Sequence, residues 1–185
     1  MKNKTAIRFA VFLVACASWQ VRGAEVTRVP APGGEVVFAN PGDKEVLYDQ
    51  FNFAAARRAG DFVFLSGVIA APQEGEHTDS DAFKVQLRRA FSTIKASLEA
   101  SGADFSHIVQ MQTFHNCKTP YFQGDFRAQL NAMLVVKAEF MKPPYSTWTA
   151  ICVDRLFDER GVVEIQMTAY APKPPVPLRA HAMSQ

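Results

Sequence analysis

A carboxylate and an indole near the end of the chain have side chains that could do chemistry. Glu164 interrupts the apolar segment "GVVEIQMTAY", and Trp148, one of two tryptophans, lies in "PPYSTWTAICVDRLF". A carboxylate among aromatic and apolar groups can have a raised pKa and act as a general acid or base. The pattern alone favours a simpler interpretation, in which Glu164 is a sheet-surface residue paired with a lysine or arginine.

A serine and a glycine interrupt the apolar strand pattern "AGDFVFLSGVIA" and form a second candidate site. A glycine inside a strand marks a bulge or the close approach of another group. The hydroxyl of Ser66 could bind a ligand, or it could satisfy backbone groups where the strand ends. Both interpretations stay open.

The histidines and cysteines do not have the spacing of a metal site. No metal and no cofactor are therefore predicted. His115 has no serine or cysteine at nucleophile spacing, so it is expected to be structural. Cys117 and Cys152 could pair in an oxidising compartment, but the favoured interpretation is two small, partly buried apolar residues.

Composition describes an ordinary globular domain with tails. The chain has 185 residues, of which 48% are hydrophobic and 21% are charged. The net charge of +2 includes four basic residues within the first 23, so the remainder carries +2 − 4 = −2. A slightly acidic protein has no electrostatic reason to bind nucleic acid or anionic lipid.

The first 23 residues are predicted to be an export signal. A basic start precedes an apolar run from Phe9 to about Trp19, which is short for a membrane span. Cleavage before Ala24 would release a periplasmic or secreted protein. Alternatively, "LVAC" resembles a bacterial lipobox, and Cys16 would become a lipid anchor. A membrane is expected as a partner only through this leader.

The remaining chain predicts an α+β fold of one domain with a sheet covered by helices on one side. Residues 24–44 are predicted as an N-terminal extension or linker, 45–171 as the domain and 172–185 as a disordered Pro-rich tail. Strands are predicted at "EVVFAN", "EVLYDQFNFA" and "AGDFVFLSGVIA", from about Ile108 to His115, and around both Trp148 and Glu164.

Two helices are predicted between these strands. The first has Ser80 as its N-cap and Gly102 as its C-terminal stop, with Leu87, Phe91, Ile94 and Leu98 on one face. The second lies between Tyr121 and Met141, and its beginning is left open because of Gly124. Its predicted apolar stripe consists of Phe126, Leu130, Met133 and Lys137.

Four segments in order resemble the YjgF/RidA family, the reactive-intermediate deaminases once called endoribonuclease L-PSP. They are "GDFVFLSGVIA", "QLRRAFSTIKASLEASGADFSHIVQMQTFH", "PPYSTWTAICVDRL" and "VVEIQMTAYA", and the resemblance spans about 45–171. It implies a chorismate-mutase-like fold and a homotrimer whose sheets form a central barrel, with ligand clefts between subunits. It also implies hydrolysis of imines and enamines such as 2-aminoacrylate.

The resemblance assigns roles to individual positions. Glu164 matches the glutamate that positions water, and Trp148 stands where active members have an arginine that grips the substrate carboxylate. Other matched positions are the tyrosine position, a Ser-Gly pair and two backbone amides, here Phe53, Ser66, Gly67, Thr149 and Ala150. Tryptophan at this position is similar to the arginine-less YjgH-like branch.

The substitution at position 148 limits the expected substrates. Tryptophan cannot neutralise a carboxylate, and losing a charged hydrogen-bond partner costs about 1.5–3 kcal/mol. Activity on 2-aminoacrylate is therefore predicted to be weak or absent. One hypothesis is an exported hydrolase of other small imines, enamines or related compounds. The other is a non-catalytic trimer that binds or scavenges small molecules. Trp148 is either a ligand contact or inter-subunit packing.

Overall fold

The computed structural model describes residues 25–173, which form one mixed sheet of eight strands and two long helices. The predicted α+β fold is thus confirmed, while the predicted leader and nearly all of the predicted tail lie outside the described residues. No helix within 25–173 is long and apolar enough to span a membrane. The elements are β1 (Thr27–Ala31), β2 (Gly34–Phe38), β3 (Ala56–Ala59), β4 (Phe62–Leu65), β5 (Val68–Ala70), α1 (Ser80–Ala100), β6 (Ile108–Asn116), α2 (Phe126–Phe140), β7 (Thr147–Val153) and β8 (Val163–Tyr170).

The strand order places the C-terminal strands in the middle of the sheet and β7 at its edge. The order is β1-β2-β3-β4-β8-β6-β7, and β5 also pairs with β8. Strand β7 runs parallel to β6, whereas the other pairs are antiparallel. Between the pairs Phe64↔Thr168 and Val68↔Ile165, the β4–β5 segment contains one residue more than β8. The Ser66–Gly67 interruption is therefore a bulge.

Aspartate side chains begin both long helices. Asp79 accepts hydrogen bonds from the backbone N–H groups of Asp81 and Ala82, so it is the N-cap of α1 in place of the predicted Ser80. Gly102 follows the helix with a φ of +73°, as predicted. Asp125 accepts from the N–H of Ala128 and fixes the beginning of α2, which the sequence left open.

Both helices pack on one face of the sheet. The predicted face of α1 is fully buried, and it packs with sheet residues such as Met111 and Met167. The buried face of α2 is Gln129, Ala132, Met133 and Val136. The predicted stripe is therefore buried only at Met133. Gln129 is an interior residue despite its polar amide, because this amide hydrogen-bonds His115.

Two local predictions near the N-terminus are wrong. Of the two alternatives for 24–44, an extension or a linker, the linker is wrong, since β1 and β2 form a hairpin and β2, the strand predicted at "EVVFAN", pairs with β3. Its turn has Gly33 at a φ of +74°, which glycine adopts without strain. "EVLYDQFNFA" is not a strand either, because Lys44–Gln50 form a short π-helix. Strand β2 already pairs with β1 on one side and β3 on the other, so a further strand could not pair with it.

Candidate functional site

Glu164 lies on the sheet face that the helices leave uncovered. Strand β8 places it between Ile69 of β5 and Phe114 of β6. Burial raises the pKa of its half-buried carboxyl above the ordinary value. Within residues 25–173 its carboxylate has neither an ion pair nor a hydrogen bond, so the simpler interpretation of a surface pair with lysine or arginine does not hold there.

Gly67 provides the space that this carboxylate occupies. A Cβ atom on Gly67 would lie 1.7 Å from Oε1 of Glu164 and 2.5 Å from its Cδ. No side chain can be accommodated at such a distance, so any other residue would displace the carboxylate. The glycine predicted to mark a bulge or a close approach does both.

Three predicted site residues line one cavity beside Glu164. Phe53, Ser66 and Gly67 contribute to a cavity of about 300 Å³, which Leu47 and Ile69 also line. Glu164 itself lines a second cavity of about 330 Å³ with Phe114, Val153, Arg155, Leu156, Phe157 and Gln166. Since Gly67 touches the carboxylate, Glu164 stands between the two cavities. The structure therefore brings Phe53, Ser66, Gly67 and Glu164 together.

The hydroxyl proton of Ser66 is already committed. Its Oγ donates to the carbonyl of Ala54 over 2.6 Å, and its backbone N–H donates to Ala55. Ser66 therefore satisfies backbone groups, as one of the two interpretations expected. Its oxygen still has lone pairs that can accept a hydrogen bond from a ligand.

Trp148 lies on the opposite face of the sheet from Glu164. It pairs with Met111 on β6, and its side chain packs against the helix-covered core. Ala150 has the same orientation by strand alternation, while Thr149 faces the uncovered side, with β6 between its strand and that of Glu164. One protomer therefore does not bring Trp148, Thr149 or Ala150 into the cavities beside Glu164.

A buried chain of hydrogen bonds fixes the indole of Trp148. Its Nε1 donates to Oγ1 of Thr113 over 3.0 Å, and that hydroxyl lies 3.0 Å from Nε2 of His115. The Nδ1 of His115 lies 2.9 Å from Oε1 of Gln129, whose amide nitrogen donates to the carbonyl of Asn116. The Gln129 oxygen must then accept, which puts the histidine proton on Nδ1 and lets Thr113 donate to Nε2.

His115 is consequently a structural residue, as the sequence analysis expected. Its side chain is fully buried, and burial lowers its pKa below the ordinary value. The same chain of bonds uses the only hydrogen-bond donor of the Trp148 side chain. A ligand near Trp148 can therefore contact the ring but not its N–H.

The sequence analysis did not identify Lys137 as a neighbour of Trp148. Its ammonium lies 5.6 Å from the ring centroid of Trp148 and 4.9 Å from that of Tyr145. Burial lowers the pKa of Lys137. The signal was present in the sequence, since Lys137 is a cation on a stripe predicted to be apolar.

Cys117 and Cys152 form a disulfide, with their Cα atoms 5.5 Å apart. The favoured interpretation of two unpaired apolar residues is therefore wrong. The parallel register places His115 beside Cys152, so Cys117, just past the end of β6, comes within bonding distance. Among residues 25–173, no group of three or more His, Cys, Asp or Glu side chains is placed so that it could hold a metal ion.

Comparison with known proteins gives consistent similarities. The family model described as Endoribonuclease L-PSP matches residues 47–171. The RutC family protein YjgH of Escherichia coli is 34% identical over 136 residues, which cover 72% of this chain and 93% of that protein. A solved structure of YjgH has a TM-score of 0.54 at 32% identity and covers 70% of this chain and 91% of its own. RidA from an Antarctic Psychrobacter species has a TM-score of 0.51 at 25% identity, covering 64% and 87%.

Proposed function

The chain belongs to the endoribonuclease L-PSP family, the YjgF/RidA proteins, and from this premise we propose that it hydrolyses small imines and enamines. The observation that carries the proposal is the Glu164 carboxylate, half-buried, without an ion pair among the described residues, and held against Gly67 between two cavities. A carboxylate that lacks a fixed cation and has a raised pKa is suited to exchanging protons with a ligand.

The proposed reaction needs only water and this carboxylate. Water adds to the carbon of the C=N bond while Glu164 accepts one of its protons. Glu164 passes this proton to the nitrogen, which gives a tetrahedral carbinolamine. The carboxylate then takes the proton of the new hydroxyl and delivers it to the nitrogen while the C–N bond breaks, so ammonia leaves and a carbonyl compound remains. An enamine enters the same path after it tautomerises to the imine. Phe53 and Ile69 supply apolar walls for the cavity beside this carboxylate.

The central test replaces Glu164 by glutamine. Ammonia release from a panel of small imines should fall at least about 100-fold, the lower range for the loss of a general acid or base. Glu159→Gln, which changes an exposed carboxylate in the neighbouring turn, is the matched control and should keep the wild-type rate. The wild-type rate should also decline on the acid side at a pH above the ordinary carboxyl pKa, because burial raises the pKa of Glu164.

Gly67→Ala and thermal unfolding complete this experiment. The alanine Cβ would displace the Glu164 carboxylate, so this variant should lose activity although the carboxylate remains in the chain. The raised pKa of Glu164 means that its charged form opposes folding at neutral pH, so the glutamine variant should unfold no more easily than wild type. Ammonia release at the wild-type rate by Glu164→Gln would sink the proposal.

The proposed cleft lies between subunits of a homotrimer. The family resemblance implies a homotrimer. Trp148 lies on edge strand β7, away from Glu164 of the same protomer, which supports a cleft that takes Trp148 from one subunit and Glu164 from the next. Thr149 and Ala150 would then present their backbone amides from the same edge. Without a guanidinium at position 148, 2-aminoacrylate should be a poor substrate, because it is too small to gain much from ring contacts.

A second candidate function is ligand binding without turnover. The observation that favours it is a separate cavity on the helix side of β7, lined by Trp148, Tyr145 and Leu134, that does not contain Glu164. A trimeric scavenging protein would bind small aromatic compounds there. Binding that is unaffected in Glu164→Gln, combined with no ammonia release by wild type from any imine, would establish this function instead.

We further propose that the protein is exported. The leader lies outside the described residues, but the Cys117–Cys152 disulfide supports export because such bonds persist in oxidising compartments. The intact mass of the protein recovered from a bacterial host separates the two processing routes. Cleavage before Ala24 gives a lipid-free protein, whereas a diacylated or triacylated Cys16 gives a membrane-bound one. An unprocessed chain in the cytoplasm would contradict export.

A further inference from the structure

A cavity of about 410 Å³ lies between the C-terminal half of α2 and the start of β7, away from the Glu164 carboxylate. Its walls are largely apolar and aromatic, and its lining includes one charged group. The lining residues are Leu134, Lys137, Ala138, Met141, Tyr145, Ser146 and Trp148. A concave apolar site with a few polar groups is the usual form of a small-molecule site.

The charged group in this cavity has no partner among residues 25–173. The Lys137 ammonium makes neither a hydrogen bond nor an ion pair there, and it rests near the Tyr145 and Trp148 rings. The acid nearest in sequence, Glu139, is bound by Arg88 through two hydrogen bonds of 2.8 and 2.6 Å. The lysine therefore keeps three N–H donors available while it is partly removed from water.

A second polar group in the cavity wall also lacks a partner. The Oγ atom of Ser146 is buried and has no hydrogen-bond partner within the described chain. A buried hydroxyl without a partner is uncommon and costs stability, so it points to a group that the described residues do not supply. Ser146 and Lys137 line the same cavity. A ligand atom that accepts a hydrogen bond from the Ser146 hydroxyl would therefore lie close to the Lys137 ammonium.

The two rings determine the shape of what could bind. The Trp148 ring cannot turn freely because its N–H is bound to Thr113. It therefore presents a fixed face, and Tyr145 presents a second ring whose centroid lies 4.9 Å from the same ammonium. Flat apolar groups pack well against aromatic faces, and an anion pairs with the ammonium.

We propose that Lys137, Trp148, Tyr145 and Ser146 form a binding site for a small carboxylate with a flat, aromatic body. The ammonium pairs with the carboxylate as a point charge, and the ring walls hold the body. Such a site discriminates against small acids, because those gain little from the rings, and against neutral aromatics, because those leave Lys137 unpaired. The cavity lies within one protomer and does not include Glu164, so this inference stands independently of the proposed hydrolase activity.

Tryptophan fluorescence can test this site directly. Trp19→Phe in the full-length chain leaves Trp148 as the sole tryptophan, so ligands that reach the cavity should alter its emission. Phenylacetate should bind at least about tenfold more tightly than phenylacetamide or acetate, the factor expected for one charge-assisted hydrogen bond. Lys137→Met should reduce the affinity for phenylacetate to that for phenylacetamide and leave the affinity for the amide unchanged.

Two control variants distinguish the loss of the Lys137 charge from other effects of substitution. Lys142→Met, which removes an exposed lysine just beyond α2, should bind phenylacetate as wild type does. Lys137→Arg keeps a cation and should keep the preference for the acid. Equal binding of phenylacetate and phenylacetamide by wild type, no binding of either, or wild-type binding of phenylacetate by Lys137→Met would each overturn the proposal.

Failure of this inference can be told apart from failure of the proposed function. Glu164→Gln should bind phenylacetate normally, since that carboxylate lies on the other face of the sheet. If ammonia release depends on Glu164 while phenylacetate binding does not depend on Lys137, only the present inference is wrong. If binding follows Lys137 but no imine is hydrolysed, only the proposed hydrolase activity is wrong.

Discussion

The indole of Trp148 is held by a chain of three buried polar side chains, and one of them is a histidine whose pKa is lowered by burial. Thr113 receives the indole N–H, His115 receives the threonine proton, and Gln129 receives the histidine proton. All three side chains are buried, so none of these bonds has water as a substitute. The arrangement requires a neutral imidazole, because a protonated His115 could no longer accept from Thr113.

Acidification should therefore weaken the fold through His115. Burial lowers its folded-state pKa, so below about pH 6.5 the unfolded chain binds a proton that the folded chain rejects. The contribution of His115 to the free energy of unfolding should fall as the pH drops from 7 to 5, by up to about 1.4 kcal/mol per pH unit. His115→Gln should be less stable at pH 7, and its deficit relative to wild type should shrink on acidification.

Urea unfolding at several pH values measures this effect. His77→Gln, which replaces an exposed histidine, should show the same pH dependence as wild type. A deficit for His115→Gln that stays constant from pH 7 to 5 would show that the imidazole does not titrate against the fold.

The residue types of the candidate site could be predicted from the sequence more readily than the sheet face on which each lies. Glu164 sits in a strand that alternates cleanly between buried and uncovered positions, so its face was predictable. Strand β7 is at the sheet edge, where both faces are partly exposed, and alternation could not say where Trp148 points. The placement of Lys137 beside the Trp148 ring depends on a contact between α2 and β7. The only sign of it in the sequence is a cation on a stripe predicted to be apolar.

The secondary structure shows the same division between local and long-range information. Helix α1 carries its own cap, stop signal and apolar face, so it was predictable from local rules. The Pro/Gly-rich composition of residues 24–34 predicts a linker and conceals β1, whereas "EVVFAN" predicts β2. The β1–β2 hairpin is stabilised by pairing with β3, which follows in the chain only after the π-helix.

The disulfide joins the loop after β6 to the end of β7 and encloses α2. The two cysteines are 35 positions apart, and closing a loop of that length removes unfolded-state entropy worth about 4 kcal/mol in the chain-entropy model. Because β6 is the only strand neighbour of β7 among residues 25–173, this covalent link is an important restraint on the edge that presents Trp148.

Replacing both cysteines by serine should consequently lower the free energy of unfolding by about 2–4 kcal/mol. Urea unfolding with and without dithiothreitol measures the change. The reductant should destabilise wild type and leave the double Cys117→Ser, Cys152→Ser variant unaffected. An identical response of both proteins to the reductant would indicate that the bond does not form in solution.

The sheet face that the helices leave uncovered carries several exposed apolar side chains. Phe62, Phe64 and Tyr170 form an aromatic cluster there and are 42%, 48% and 45% exposed, respectively. Ile151 adds further apolar surface on the same face. Contiguous apolar patches mark interaction surfaces, and the family resemblance implies that further copies of this chain cover them.

If the proposed trimer buries this face, Phe64→Glu should convert it to monomers, because three copies would bury the introduced charge near one axis. Light scattering coupled to size exclusion measures the mass. Val85→Glu changes an equally exposed apolar residue on α1 and should leave the proposed trimer intact, since α1 lies on the other face of the sheet. The assembly predicted here also separates the two sites. Monomeric Phe64→Glu should lose imine hydrolysis, which needs a shared cleft, but should still bind phenylacetate, because Lys137, Tyr145 and Trp148 belong to one protomer. A monomeric wild-type protein, or a trimeric Phe64→Glu, would remove the reason for placing the cleft between subunits.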